Sequence, residues 1–152
     1  MQYTVIVGMI LIIYIRGQVQ MSKAKVHIWV GINYNEDYDE YFSLDYSDNR
    51  DIDSPDYKVC GFCKDIGEKW YDEDWISVTQ GPELVDIDML LDDDLCVAEE
   101  TLSVIKKICI EKGFQRANAM FSYTAPNIAI KDVNKTYNQL SYIGAFDTDL
   151  EY

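Results

Sequence analysis

Apolar and polar side chains alternate along several stretches of the chain, and a period of two residues is typical of β-strands. Between residues 25 and 32 this alternation places His27 and Trp29 on the opposite side from three β-branched aliphatic residues. Similar alternation predicts further strands at residues 75–79, 117–123 and 140–146, the last two as antiparallel neighbours.

Apolar side chains recur at helical spacing between these strands. The longest predicted helix covers residues 96–112, with Leu102, Ile105 and Cys109 on one apolar stripe and Gly113 at its end. Shorter helices are predicted at 35–44, 57–66 and 83–91, and residues 45–56 form a polar loop. This order predicts a single α+β domain, with a mixed or antiparallel sheet of about four strands and helices packed on it.

Residues 1–20 differ from the rest of the chain, because residues 5–15 are almost entirely apolar and Arg16 is the only charge. This run is shorter than the ~20 residues of a membrane span. A signal peptide would have a positive charge before its apolar region, but no Lys or Arg precedes this run. Met21 begins an ordinary Met-Ser-Lys start, so we expect residues 1–20 to be a mis-started extension and residues 21–152 to form one domain. If residues 5–15 are retained, they would serve as a membrane anchor.

The charge of the chain is strongly acidic, with 27 acidic against 13 basic residues and a formal net charge of −14. Such a balance repels nucleic-acid phosphates, so direct binding to nucleic acid is disfavoured. It would attract a basic partner and accelerate its association. The plainer interpretation is that the acidity serves solubility alone.

Four cysteines, at positions 60, 63, 96 and 109, are too few and too irregular for a disulfide scaffold, which favours a reducing, cytoplasmic location. Cys60 and Cys63 form a CGFC motif, which in a thiol-disulfide redox protein would carry the reaction. The preceding stretch is polar and contains Pro55, instead of the apolar strand of a thioredoxin-like motif. Cys96 and Cys109 do not supply a second zinc knuckle.

Catalytic motifs are absent from the sequence. His27 is the only histidine, and it falls in a predicted core strand, where a structural role is expected. No phosphate-binding glycine motif or nucleophile triad order is present. We therefore predict a protein that binds another protein, with no catalytic residue, no metal site and no cofactor.

Acidic and aromatic residues cluster in the stretch between the first two predicted strands. Tyrosines among carboxylates are typical of protein interfaces, because each ring offers a large contact area and a polar tip. The predicted binding residues are Glu36, Asp37, Asp39, Glu40, Tyr41, Asp45, Tyr46, Asp48, Tyr71, Asp72, Glu73 and Asp74.

Four short segments carry a resemblance to a known family. They are VHIWVG at 26–31, YDEDW at 71–75, ANA at 117–119 and YIGAF at 142–146. In this order and spacing they resemble the bacterial immunity protein 22 family over about residues 24–148. The resemblance implies an α+β protein that binds and neutralises a cognate polymorphic toxin without catalysing a reaction. Such toxins are frequently nucleases with basic clefts, so the acidic residues above become candidates for toxin binding.

Overall fold

The computed structural model describes residues 23–47, 51–91 and 95–151, so the expectation for residues 1–20 lies outside the described residues. The strands are β1 (Lys23–Gly31), β2 (Ile76–Asp86), β3 (Arg116–Ala125), β4 (Thr136–Tyr137) and β5 (Leu140–Glu151). The helices are α1 (Gly61–Ile66), α2 (Ile87–Leu91) and α3 (Glu99–Glu111), with 3₁₀ turns at Tyr38–Phe42 and Glu73–Trp75.

The strands of the described part of the chain form one antiparallel sheet in the order β2-β3-β1-β5-β4. β1 is central: Trp29 pairs with Phe121 of β3 on one side and with Tyr142 of β5 on the other. The predicted α+β class is confirmed, although the sheet has five strands where about four were expected. The prediction that β3 and β5 are neighbours is wrong, because β1 lies between them.

The two faces of the sheet are covered by different parts of the chain. On the aliphatic face, Val26, Ile28 and Val30 of β1 pack with buried residues of α2 and α3. On the aromatic face, Trp29 and Phe121 pack with buried side chains of the segment between β1 and β2. The alternation along β1 therefore assigns its side chains to the correct faces, because each face has its own core.

Helix α3 follows the prediction most closely, although it begins three residues later than expected, at Glu99. Ile105 and Cys109 stand one turn apart and are fully buried against the sheet. Gly113 ends the helix with φ 95°, and the Phe114 amide donates back to the Cys109 carbonyl at 2.8 Å. This is a glycine-terminated helix end of the expected kind.

Three shorter helix predictions need correction. Residues 35–44 contain only the 3₁₀ turn Tyr38–Phe42, because four carboxylates within one turn repel each other and aromatic residues are poor helix formers. Helix α1 begins at Gly61 instead of residue 57, with Cys60 as its N-terminal cap. Residues 83–86 belong to β2, where Val85 pairs with Ala117, so α2 begins only at Ile87.

The short strand β4 was not predicted, because two residues are too few to show a period. A tight turn joins it to β5, and its central residues Asn138 and Gln139 have φ of 52° and 70°. Positive φ at both positions matches the twist of a two-residue hairpin. No helix within the described residues is long and apolar enough to cross a bilayer.

His27 is a buried structural residue, 4% exposed, with Nδ1 2.9 Å from the Tyr142 hydroxyl. Burial, aided by the positive charge of Lys25, lowers the pKa of His27 from 6.5 to about 4. The unfolded chain therefore binds this proton at a higher pH than the folded protein does.

We expect acid to destabilise the fold between pH 6.5 and 4, by about 3 kcal/mol in total, because protonation of His27 then favours the unfolded state. The stabilising effect is complete above pH 6.5 and is lost as the pH falls through 4. Urea unfolding across this range measures the effect, and His27→Gln should flatten the curve. An equally steep curve for the variant would contradict the assignment.

Candidate binding surface

The acidic charge is concentrated in one part of the fold. Residues 32–75, here called the acidic layer, contain 14 acidic and 4 basic residues and so carry −10 of the net −14. The described part of this layer covers the aromatic face of the sheet. The protein therefore has one strongly acidic side, opposite the side covered by α2 and α3.

Aromatic rings on its inner side attach the acidic layer to the sheet. Phe42 and Phe62 stand edge-on to Phe121, with ring centroids 4.9 and 5.8 Å away. Tyr71 packs edge-on against Phe62 at 5.2 Å, and its hydroxyl donates a hydrogen bond to the Phe42 carbonyl. Edge-to-face ring contacts of this kind add to the burial of apolar area. They compensate for the small amount of regular secondary structure in the layer.

The first acidic group surrounds the 3₁₀ turn. Glu36, Asp37, Asp39 and Glu40 are all exposed, whereas Tyr38 between them is 1% exposed and points into the core. None of the four carboxylates forms an ion pair with another described residue. They are therefore available to a cationic partner without the loss of an existing ion pair.

A network of side-chain amides positions the start of this group. Asn33 and Asn118 are each 1% exposed and bind reciprocally: the Asn33 amide donates to Asn118 Oδ1, and Asn118 Nδ2 donates to the Asn33 carbonyl, both at 2.8 Å. Gln80 Nε2 donates to the carbonyls of Asn33 and Asn35 at 2.7 and 3.0 Å. Asn138 Nδ2 donates to the Tyr38 carbonyl at 3.1 Å. The backbone on both sides of Glu36 and Asp37 is thus fixed to β2, β3 and the β4–β5 turn.

Sequence reasoning did not find this network. The alternation of side chains in β3 could have indicated it, because this alternation places the polar Asn118 on the same side of the strand as Met120. Every residue from Ala117 to Tyr123 is buried. A polar residue in a strand buried on both faces needs hydrogen-bond partners, so Asn118 was a candidate for an internal contact.

Two further predicted residues have structural roles in the layer. Asp45 accepts hydrogen bonds from the amides of Ser47 and Lys58 at 2.9 and 3.0 Å. Hydrogen bonds from the Ser47 side chain and then from these amides lower the pKa of Asp45 to about 2. The Tyr41 hydroxyl donates to Asp65 Oδ2 at 2.6 Å, and burial and this bond raise the pKa of Tyr41. Both residues tie together parts of the layer.

The group at residues 71–74 divides between core and surface. Tyr71 is 3% exposed and does not offer its ring to a partner in this conformation. Asp72 is half-buried: its Oδ1 caps the second 3₁₀ turn through the Asp74 amide at 3.0 Å. Glu73 and Asp74 are exposed, as is Tyr46 at 61%. Asp48 lies outside the described residues.

The structure therefore brings most of the predicted residues onto one layer, but with different exposure. The outward-facing members are Glu36, Asp37, Asp39, Glu40, Tyr46, Glu73 and Asp74. Tyr41, Asp45 and Asp72 hold the layer together, and Tyr71 belongs to the aromatic core.

The CGFC motif lies in the same layer, at the start of α1. Cys60 Sγ accepts a hydrogen bond from the Cys63 amide at 3.4 Å, and the two residues are 7% and 0% exposed. The hydrogen bond from the Cys63 thiol lowers the pKa of Cys60 to about 6, and the same contact raises the pKa of Cys63. Their burial in the aromatic core leaves little surface for exchange with another protein. The described residues contain no cluster of three or more metal-ligating side chains.

These features define a small α+β domain with an exposed acidic surface. The family model for immunity protein 22 matches residues 26–149, and the chain belongs to this family. Comparisons with curated proteins and with solved structures return no match.

Proposed function

We propose that this protein binds a cognate polymorphic toxin in the cytoplasm and neutralises it stoichiometrically, without catalysing a reaction. The toxin is a basic protein, with a nuclease as the first candidate. The outward-facing carboxylates of the acidic layer occupy its cationic cleft and exclude the phosphate backbone of its substrate. Family membership supports the immunity role, and the concentration of −10 on residues 32–75 supports this surface.

The observation that carries the proposal is the exposure of Glu36, Asp37, Asp39 and Glu40 on a backbone that side-chain amides hold by hydrogen bonds. These carboxylates are exposed and without ion pairs to described residues, while the backbone around them is held by the buried amide of Asn118 and the half-buried amide of Asn138. Binding therefore orders little additional chain, and a preorganised surface loses less conformational entropy on association. Complementary charge also raises the association rate at low salt.

The CGFC alternative has less support. The lowered pKa of Cys60 would favour a reactive thiolate, but both thiols are enclosed by aromatic side chains. A redox protein would need to present Cys60 to its substrate, and Cys60 is only 7% exposed.

Reversing Asp39 and Glu40 together, as Asp39→Lys and Glu40→Lys, is expected to weaken binding of an inactivated cognate toxin domain. We expect a loss of at least about 100-fold at low salt, because unfavourable charges replace favourable ones at the interface. The wild-type affinity should fall steeply with salt, and the variant should show a shallower dependence. Calorimetric titration at several salt concentrations measures both quantities.

The matched control is Glu100→Lys with Glu111→Lys on α3, which changes the net charge by the same amount on the opposite side of the sheet. We expect the control to bind almost as tightly as the wild type. Equal weakening by both pairs would show that total charge, and not this surface, determines binding.

A further inference from the structure

An irregularity in the edge strand β2 creates a hollow next to α2. Gln80 pairs with Ala119 and Val85 pairs with Ala117, so the four residues 81–84 stand opposite Asn118 alone. Two side chains of β3 hold this bulge: Asn118 Nδ2 donates to the Gly81 carbonyl and Arg116 Nη2 to the Leu84 carbonyl, each at 2.9 Å. Bulges that are fixed at both ends are common next to functional sites.

The hollow lies between this bulge and α2 and has a volume of about 500 Å³. We call it the bulge hollow. Its size is within the range of sites that receive a ligand group, roughly 300 to 1,000 Å³. Met89 is 66% exposed at its edge, and a flexible thioether adapts to the shape of an incoming group. Its apolar lining consists of Pro82, Leu84, Val85, Met89 and Leu90.

The charges at the bulge hollow favour a cationic occupant. Glu83 lines it, is exposed and forms no ion pair with another described residue. The nearby carboxylates of Asp86 and Asp88 already pair with Arg116 and Lys106, at 3.8 and 3.3 Å. Glu83 is therefore the carboxylate that remains for a ligand at this position.

One buried side chain connects the wall of the bulge hollow to the acidic layer. Asn118 forms part of its wall and binds Asn33, which begins the loop that leads to Glu36 and Asp37. β2 is an edge strand, so a partner that covers these carboxylates and extends around this edge would meet the hollow.

We propose that the bulge hollow receives one arginine or lysine side chain of the toxin. The aliphatic stem lies against Leu84 and Met89, and the cationic head pairs with Glu83. Long basic side chains bind in this way, with the stem on apolar surface and the charge directed to a carboxylate. This inference rests on the proposed function, because its occupant belongs to the toxin.

Methionine methyl resonances provide a direct test. Protein labelled with ¹³C at the methionine methyl groups is titrated with the same inactivated cognate toxin domain. The Met89 methyl should shift or broaden at saturation, whereas Met120, fully buried on the aliphatic face, should move little. A Met89 signal that is unchanged in the saturated complex overturns the inference.

The charge component is tested with Glu83→Gln, which keeps the side-chain shape. We expect about tenfold weaker toxin binding, the loss typical of a contact that matters at an interface. Glu111→Gln on α3 is the control and should bind like the wild type. Normal affinity for Glu83→Gln, even with a shifted Met89 signal, would indicate a neutral apolar occupant and overturn the cationic assignment.

The outcomes separate this inference from the proposed function. If reversal of Asp39 and Glu40 weakens binding but Met89 and Glu83 report no contact, the acidic layer binds the toxin and the bulge hollow does not. If the wild-type protein does not bind the toxin domain, both proposals fail.

Discussion

Replacing Trp29 with alanine is expected to lower the free energy of unfolding by about 3 to 5 kcal/mol, the usual cost of removing a large core ring. Trp29 is fully buried in the central strand and stacks on Phe121 with centroids 4.6 Å apart. It also contacts Phe62 at 5.8 Å, so the cavity would open under the acidic layer itself. Because small domains have only about 5 to 15 kcal/mol of stability in total, this variant should lie close to unfolding. Urea unfolding followed by circular dichroism measures the loss.

Trp70→Ala is the matched control, because Trp70 is 51% exposed. We expect it to change stability by less than about 0.5 kcal/mol. Trp29→Phe should cost less than Trp29→Ala, since the ring is kept and the indole N–H has no hydrogen-bond partner among the described residues. Similar unfolding midpoints for Trp29→Ala and Trp70→Ala would be inconsistent with the core assigned here.

The second large effect is expected at Asn118. Asn118→Asp keeps the shape of the side chain but directs a carboxylate oxygen at the carbonyls of Asn33 and Gly81, where Nδ2 now donates. A buried carboxylate that faces two carbonyl oxygens and has no ion-pair partner among the described residues should cost about 3 to 5 kcal/mol. The loop leading to Glu36 would also lose part of its attachment, so we expect weaker toxin binding than the loss of stability alone would cause. Chemical denaturation measures the first effect, and titration below the unfolding transition measures the second.

Asn127→Asp makes the same chemical change at an exposed position and should leave both quantities nearly unchanged. If Asn118→Asp is destabilised but binds with wild-type affinity while folded, the amide network stabilises the fold and does not preorganise the acidic layer. The proposal for the layer would then depend on charge alone.

Strands and the long helix could be predicted from the sequence where burial against a core produces a regular spacing of apolar side chains. In β1 the alternation separates Val26, Ile28 and Val30 from His27 and Trp29, because each face of this strand meets a different core. The spacing of Ile105 and Cys109 similarly located α3. The order of the strands in the sheet could not be predicted. The alternation of side chains along a strand shows which of them share a face, but it does not show which strands are neighbours.

Errors occurred where tertiary contacts override local signals. Gly81 and Pro82 read as the end of a strand, yet β2 continues past them because Asn118 and Arg116 hold the bulge against β3. The acidic neighbours of Tyr71 suggested a surface residue, but its ring fills a space between Phe62 and Tyr123. Neither contact is local in sequence, so neither leaves a periodic signal.

In the candidate site, too, some features could be predicted from the local sequence and others depend on tertiary contacts. Exposure of Glu36, Asp37, Asp39 and Glu40 follows from composition, because several carboxylates in one turn cannot all be buried. The roles of Asp45 and Tyr41 depend on the Lys58 amide and on Asp65, which lie 13 and 24 residues away along the chain. Such partners become visible only once the fold is known.

Because inward-facing rings attach the acidic layer to the sheet, the residues that stabilise the layer differ from the residues on its outer surface. The rings that hold the described part of the acidic layer in place point toward the sheet, and its exposed carboxylates point away from it. Outer positions can then be exchanged while the scaffold beneath them stays intact. A protein built in this way can change what it recognises by surface substitution alone, because those substitutions leave the core untouched.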